Sequence, residues 1–400
     1  MPRSQNSLAA HALAGAFFLG TLCGGMTSFV VALYFASLGH GELLVTGIFV
    51  AGAVAEVFAA PFLAPLFDKF SALKLSVAAN VLELALLVLF CAFPHPALLI
   101  AGTFALSAVT GISIPAVFVL AEAAAPEQSQ AKIFSLLDTA RFTGGLFGPV
   151  IGGALMTQSS IRTTLGLEAC SVAVSLAVLV GIGALGYTAD FTAEENSQGG
   201  FLHRLLEAPK LLLTTDSARQ VLTSIWAAII FTSIFNVTLV FFATQVLEIS
   251  GFMYAVVAQC FVVGRIVGAN WAGRMGLNPG NAVHVLLRRG VIMGICIAMP
   301  GLFPSLALSL ICFFGGGVCN ALQVAALRLV IIGAVPPAIK PKALSTMGSV
   351  NNSAMLVGYV VGGPVTAATT PAVALAVSGL GTALVTACAA TVRRFKPQQR

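Results

Sequence analysis

Two carboxylates lie in the middle of long apolar segments of this 400-residue chain. Glu56 lies twelve residues before Asp68, about 18 Å along a helix at roughly 1.5 Å per residue, and Glu83 lies nine residues after Lys74. An ionisable side chain is costly at such a depth in a membrane and is a candidate for function by default. Because loss of water favours the protonated carboxyl, both are candidates to bind a proton in one conformation and release it in another. For Glu83, a structural hydrogen bond remains the alternative.

Five further charged residues lie toward the ends of apolar segments. Asp138 and Arg141 are three residues apart on one helix face, so an ion pair within the helix is possible. Arg141 either neutralises Asp138 or binds an anionic group of a ligand. Glu122 and Arg328 occupy corresponding places in two segments, where they either attract each other or anchor loops. Glu168 lies four residues into its predicted segment and is expected at the membrane interface.

Other catalytic chemistry is absent from the sequence. No phosphate-binding GxxxxGK[ST] loop, HExxH metal motif or nucleophile elbow is present. The histidines form no cluster that would favour a metal site; they are His11, His40, His95, His203 and His284. We therefore expect no ATP hydrolysis, no bound metal, no cofactor and no enzymatic activity.

The elements that carry these residues are predicted to be membrane-spanning helices. Apolar residues make up 58% of the chain and charged residues 8%, and the mean hydropathy is +0.98. A soluble domain carries about 25% charged residues. A span needs about 20 predominantly apolar residues. With that length we count twelve spans, with eleven or thirteen as alternatives: 9–37, 43–66, 74–94, 97–123, 134–157, 164–187, 220–247, 251–272, 282–303, 305–334, 344–367 and 370–392.

Basic residues orient these spans. If the N-terminus is cytoplasmic, sixteen of the twenty Lys and Arg residues lie on the cytoplasmic side. Such a bias is typical of cytoplasmic loops, so both termini are expected in the cytoplasm, with the protein in the plasma (inner) membrane. The net charge of +6 is spread over short loops beside the spans, which favours topology determinants next to lipid headgroups over nucleic-acid binding.

The chain repeats itself half-way along. Ser135 corresponds to Ser345 and Gly148 to Gly358, both at an offset of 210 residues. The repeat predicts an N-terminal six-helix bundle over 1–187 and a C-terminal bundle over 219–400. A polar stretch, 188–218, is predicted to be a cytoplasmic linker with an interfacial helix. Six spans in each half make the halves parallel, an arrangement found in transporters that bind substrate near the membrane midplane.

The loop after the second span carries a degenerate form of a known motif. Asp68 and Lys69 match the acid and base of the G-x-L-a-D-r-x-G-r-r loop of the major facilitator superfamily, while Ala64 and Ser71 replace its glycines. Arg274 matches the base in the second half. The chain therefore resembles that superfamily over essentially its whole length. The resemblance implies an all-α membrane fold of two pseudo-symmetric six-helix bundles. It also implies a cytoplasmic gate, expected to include Asp68, Lys69, Glu122, Asp138, Arg274 and Arg328.

The fifth span carries a second motif of the same superfamily. Gly144, Gly148, Pro149, Gly152 and Gly153 resemble the motif of its proton-coupled exporters. Three of these glycines recur every four residues and form one smooth helix face for close packing. The proline removes a backbone donor and kinks the helix. Static packing of small residues is the alternative.

The resemblance also indicates a substrate cavity. Its lining would come from spans one, four, seven and ten, and the second span would flank the pathway, which favours Glu56 over Glu83 for proton coupling. The fourth span carries Ser107 where such exporters often have arginine. The candidate cavity residues are Arg141, Tyr34, Trp226, Asn236, Asn320, Gln323 and Asn351.

We therefore expect a monomeric secondary transporter that exports a small organic molecule by alternating access, in exchange for protons. Candidate substrates are amphipathic drugs, sugars, or a secreted metabolite such as a siderophore. An uptake symporter or uniporter with the same fold is the alternative.

Overall fold

A computed structural model describes residues 3–38, 41–59, 66, 69–124, 130–156, 160–186, 216–275, 277–334 and 340–392. Within these ranges the chain forms twelve α-helices and no strand. In chain order the helices are α1 (Arg3–Ala36), α2 (Gly41–Val54), α3 (Ala72–Ala92), α4 (Pro96–Ala124), α5 (Gln130–Leu155), α6 (Ile161–Ala184), α7 (Asp216–Phe241), α8 (Gly251–Arg274), α9 (Pro279–Leu302), α10 (Leu306–Ala334), α11 (Lys340–Ala368) and α12 (Pro371–Val392).

Two helices change their winding near one end. A π-helical turn, Ala55–Ala59, continues α2, and a second one, Phe242–Val246, continues α7. A π-turn closes its hydrogen bonds one residue further along the chain than an α-helix does, and it often marks a functional site. The predicted linker, 188–218, lies outside the described residues up to 215, and its last three residues begin α7.

The predicted all-α membrane fold is confirmed. Nine helices of the described ranges are long and apolar enough to cross a membrane, and the three others are α2, α5 and α11. Large apolar side chains are exposed on the outside, among them Val88 at 57%, Ile311 at 71% and Leu384 at 63%. Such side chains are suited to a lipid environment, which needs no polar covering.

The chain divides into two compact units, which comprise 1–195 with 250–255, and 196–249 with 256–400. In the first unit, α1 packs against α5 and α6, while α3 packs against α4 and α6. The fully buried core of this unit includes Leu120, Leu137 and Leu179.

The second unit repeats this pattern of packing. There α7 packs against α11 and α12, and α9 packs against α10 and α12. Its core includes Leu286 and Leu327. Since each pair lies six helices after its counterpart, the two units are pseudo-symmetric six-helix bundles.

Candidate functional site

Glu56 and Arg141 come together in the first unit. Glu56 is exposed in the π-turn that follows α2, and Arg141 is exposed on α5. The Arg141 guanidinium lies within electrostatic range of the Glu56 carboxylate. The sequence predicts Glu56 as a proton-coupling residue and Arg141 as a cavity residue, but it does not predict that the two interact. The expected partner of Arg141, Asp138, has its side chain outside the described residues.

Ser107 lies close to Gly52, four residues before Glu56. A Cβ atom added to Gly52, one turn before Glu56 on α2, would lie 3.6 Å from Ser107 Oγ on α4. The Ser107 hydroxyl of α4 therefore faces α2 about one helical turn before Glu56.

The glycine motif of α5 packs directly on the backbone of α1. A Cβ atom on Gly148 would lie 3.0 Å from the Met26 amide nitrogen, and one on Gly144 would lie 2.8 Å from the Phe18 carbonyl oxygen. Gly152 faces Met26 in the same way, with the Met26 carbonyl oxygen 2.9 Å from the added atom. Side chains of α1 border the same face, with Thr21 beside Gly144 and Met26 beside Gly152.

The remaining two motif residues also lie at close contacts. Pro149 Cδ lies 3.4 Å from the position of a Cβ atom on Gly25 of α1. Gly153 faces the backbone of Gly251, at the start of α8, where an added Cβ atom would lie 2.5 Å from the Gly251 carbonyl oxygen. Residues 250–255 belong to the first unit together with Gly153.

The equivalent contact in the second unit, between α7 and α11, includes side-chain hydrogen bonds. A Cβ atom on Gly358 would lie 2.6 Å from Ser233 Cβ. Beside it, Asn236 Nδ2 donates to the Tyr359 hydroxyl at 3.3 Å. Trp226 Nε1 donates to Ser353 Oγ at 3.1 Å. The two helices are therefore held by polar side chains as well as by close packing.

The other predicted cavity residues are less exposed than the Glu56–Arg141 pair. Gln323 is 6% exposed and its amide nitrogen abuts Gly290 of α9, within the second unit. Asn320 Nδ2 lies 3.5 Å from Met293 Sδ. Tyr34 and Asn351 are half-buried on α1 and α11.

The predicted cytoplasmic gate is described only in part. Lys69, Arg274 and Arg328 are exposed. Asp68 lies outside the described residues, and so do the side chains of Glu122 and Asp138. Ion pairing within this gate therefore stays a prediction.

Glu168 is buried inside the first unit, with 6% of the residue exposed. Helix α6 begins at Ile161, three residues before the predicted span. The expected position of Glu168 at the membrane interface stays a prediction. Glu83 is half-buried on α3. A sequence signal for Glu168 exists, because it shares a polar stripe at spacings of four and three residues with Thr164 and Ser171.

Three solved structures of similar fold are transporters. A nucleoside transporter, NupG, superposes with a TM-score of 0.69 at 13% identity, over 97% of this chain and 100% of that chain. A POT family transporter in complex with a thioalcohol-conjugated peptide gives 0.71 at 13% identity, over 96% and 95%. The human organic anion transporter MFSD10 (TETRAN) gives 0.63 at 14% identity, over 97% and 100%.

These identities are low enough that the likeness concerns the fold alone. No curated protein sequence matches the chain significantly. The sequence model described as Major Facilitator Superfamily matches residues 13–287, more than half of the chain. With this match and the two six-helix bundles, the chain belongs to the major facilitator superfamily of membrane transporters.

Proposed function

We propose that this transporter exports a small organic molecule by alternating access in exchange for protons. Both termini would lie in the cytoplasm, with the chain acting as a monomer in the plasma membrane. The substrate would be an amphipathic drug, a sugar or a secreted metabolite such as a siderophore. The observation that carries export is the contact between α1 and α5.

That contact has a smooth surface. Gly144, Gly148 and Gly152 bring the α5 backbone against the backbone of α1, and α5 itself contributes no side chain at these three positions. The counterpart between α7 and α11 has Tyr359 in place of Pro149, with the Asn236 amide bonded to its hydroxyl. Helix α5 is thus suited to slide or bend against α1, and α11 is held more firmly. This difference between the halves supports the exporter-type interpretation of the α5 motif.

Proton coupling is proposed to act through Glu56. A charged pair is too costly to face lipid, so exposure of Glu56 and Arg141 favours contact with an aqueous pathway. When Glu56 is ionised, it can accept hydrogen bonds from a polar or cationic group of the substrate. When it is protonated, the negative charge that attracts this group is lost. Proton and substrate then exclude each other, which is the requirement for exchange.

The alternative, uptake by symport, also has a structural basis. An anionic substrate would bind Arg141, and protonation of Glu56 would release that guanidinium from its neighbour. Proton and substrate would then bind together and move in the same direction. The substrate's charge and the direction of coupled proton movement therefore discriminate the two proposals.

A vesicle assay tests the choice. Purified protein is reconstituted with a pH-sensitive dye inside, and ethidium, glucose or a ferric siderophore is added outside as a probe of each substrate class. Exchange predicts an alkaline shift of the interior as the substrate enters and protons leave. Symport predicts an acid shift. Accumulation without any pH change would exclude proton coupling and support a uniporter.

Glu56→Gln separates the carboxylate from other sources of the signal. The variant should abolish the pH shift, because glutamine binds no proton at this position. Glu42→Gln is the matched control, since Glu42 lies in the first turn of the same helix. An unchanged pH shift in Glu56→Gln would refute coupling through Glu56.

A further inference from the structure

We propose that Glu168, which is buried, and Glu83, which is half-buried, form a carboxyl pair in the first unit that holds one proton. The pair lies on α3 and α6, on different helices from Glu56 and Arg141. Its role in coupling rests on the proposed proton exchange, whereas its binding of a proton can be tested without any substrate.

The register of α3 and α6 brings the two residues to the same level. Cys91 Sγ donates to the Arg162 carbonyl oxygen at 3.5 Å, which aligns the end of α3 with the start of α6. From this contact, Glu83 lies eight residues back along α3 and Glu168 six residues forward along α6. At roughly 1.5 Å per residue the two levels differ by about 3 Å. The carboxylates are close enough to interact electrostatically.

Both side chains belong to the inward face of their helices. On α3, Glu83 continues the buried positions Ser76, Ala79 and Leu87 at helical spacing. On α6, Glu168 itself is one of the buried positions. The pair therefore lies within the helix bundle.

The surroundings of Glu168 leave a polar atom unsatisfied. Glu168 Oε2 is buried without a hydrogen-bond partner. The Thr27 hydroxyl of α1 lies beside the carboxylate. Thr27 is 6% exposed, and its Oγ1 atom is likewise buried without a hydrogen-bond partner. The Ser171 hydroxyl donates to the backbone carbonyl oxygen of Glu168 at 2.8 Å and so is not available to Oε2. A proton on Oε2 would let the carboxyl group donate to the neighbouring Thr27 hydroxyl oxygen, so that neither atom is left without a partner.

The neighbouring charges point the same way. The titratable groups that face Glu168 from the helices packed against it are Glu83 on α3 and the neutral thiol of Cys23 on α1. Within the described part of the chain, no Lys, Arg or His is ion-paired with either carboxylate. Two negative charges at this depth without a cation are strongly unfavourable. A proton shared by the pair removes one of them, as in other closely spaced carboxyl pairs.

Helix α1 connects this pair to the glycine motif. A Cβ atom on Gly24 would lie 3.4 Å from Glu168 Oε1, and the next residue, Gly25, faces Pro149 of α5. Helix α1 is thus held between the carboxyl pair and the smooth face of α5. A change in the charge of Glu168 would act on the same helix that α5 contacts.

Infrared difference spectroscopy of the purified, lipid-reconstituted protein tests proton binding directly. A protonated carboxyl group in an apolar site has its own carbonyl stretching band, which shifts on exchange into heavy water. The wild-type protein should show this band at neutral pH and lose it at alkaline pH. Glu168→Gln and Glu83→Gln should each abolish the neutral-pH band, and Glu42→Gln should keep it.

Two results would overturn the proposal. The first is a band that is the same in the wild-type protein and in both variants. The second is a wild-type band that disappears when NaCl replaces choline chloride at constant pH, because a metal cation would then occupy the site. If either Glu168→Gln or Glu83→Gln does not elute as a folded protein in gel filtration, the spectrum of the other variant alone tests the proposal. The infrared measurement uses no substrate and is therefore independent of the vesicle assay. If the carbonyl band titrates while Glu56→Gln leaves the pH shift in vesicles unchanged, only coupling through Glu56 is refuted.

Discussion

Replacement of Gly148 by alanine should loosen the contact between α1 and α5. The added Cβ atom would lie 3.0 Å from the Met26 amide nitrogen and 3.2 Å from the Leu22 carbonyl carbon, and closer still to the Leu22 carbonyl oxygen. Ordinary van der Waals contact begins at 3.4 Å, and the obstructing atoms are backbone, which has no rotamer to change. The two helices must therefore move apart.

The energetic cost follows from that movement. A gap of about 0.5–1 Å forfeits roughly a quarter to a half of the dispersion energy of the affected contacts. Overpacking of this kind typically costs about 1–3 kcal/mol. Gly145 is the matched control, because a Cβ atom there meets nothing within 4 Å. Gly145→Ala should be neutral or stabilising, since alanine in a helix interior is more stable than glycine by roughly 0.5–1 kcal/mol.

Thermal unfolding in detergent, followed by far-ultraviolet circular dichroism, measures this difference. Tryptophan fluorescence is less suitable, because Trp226 and Trp271 both lie in the second unit. We expect Gly148→Ala to unfold at a clearly lower temperature than Gly145→Ala, with slower transport in vesicles. Equal unfolding temperatures would refute the conclusion that the α5 backbone rests on α1. Reduced stability with unchanged transport would favour static packing over a moving contact.

Two further predictions use the same kind of matched comparison. Gly358→Ala should destabilise the protein by about 1–3 kcal/mol, because its Cβ atom would meet α7. Gly348→Ala on the same helix should have little effect, since its Cβ atom meets nothing within 4 Å. Equal unfolding temperatures of the two variants would contradict this prediction. In a cysteine-free background, Glu56→Cys should react with a membrane-impermeant thiol reagent in detergent-solubilised protein, because position 56 is exposed. Ala53→Cys should not react, because position 53 is buried. Similar labelling of the two variants would exclude selective exposure of Glu56.

Composition and periodicity predicted the helices of this protein well. Apolar segments long enough to span a membrane require helices, since lipid offers no partner for free backbone groups. The repeat at 210 residues predicted two equivalent bundles, and the packing of Gly148 on α1 and of Gly358 on α7 follows it. The glycine face of α5 could also be predicted, because its glycines recur every four residues within a single helix. The start of α6 was placed three residues too late, and the burial of Glu168 inside the bundle was not predicted.

The neighbours of the buried charges were decided only by tertiary structure. Glu56 and Arg141 are 85 residues apart in the sequence, and so are Glu83 and Glu168. Whether such residues meet depends on how each helix is rotated about its axis and which helix it packs against. That rotation is set by the whole buried stripe of a helix rather than by the charged residue itself. The sequence therefore identified carboxylates within apolar segments, and helix packing determined that one faces an arginine and two face each other.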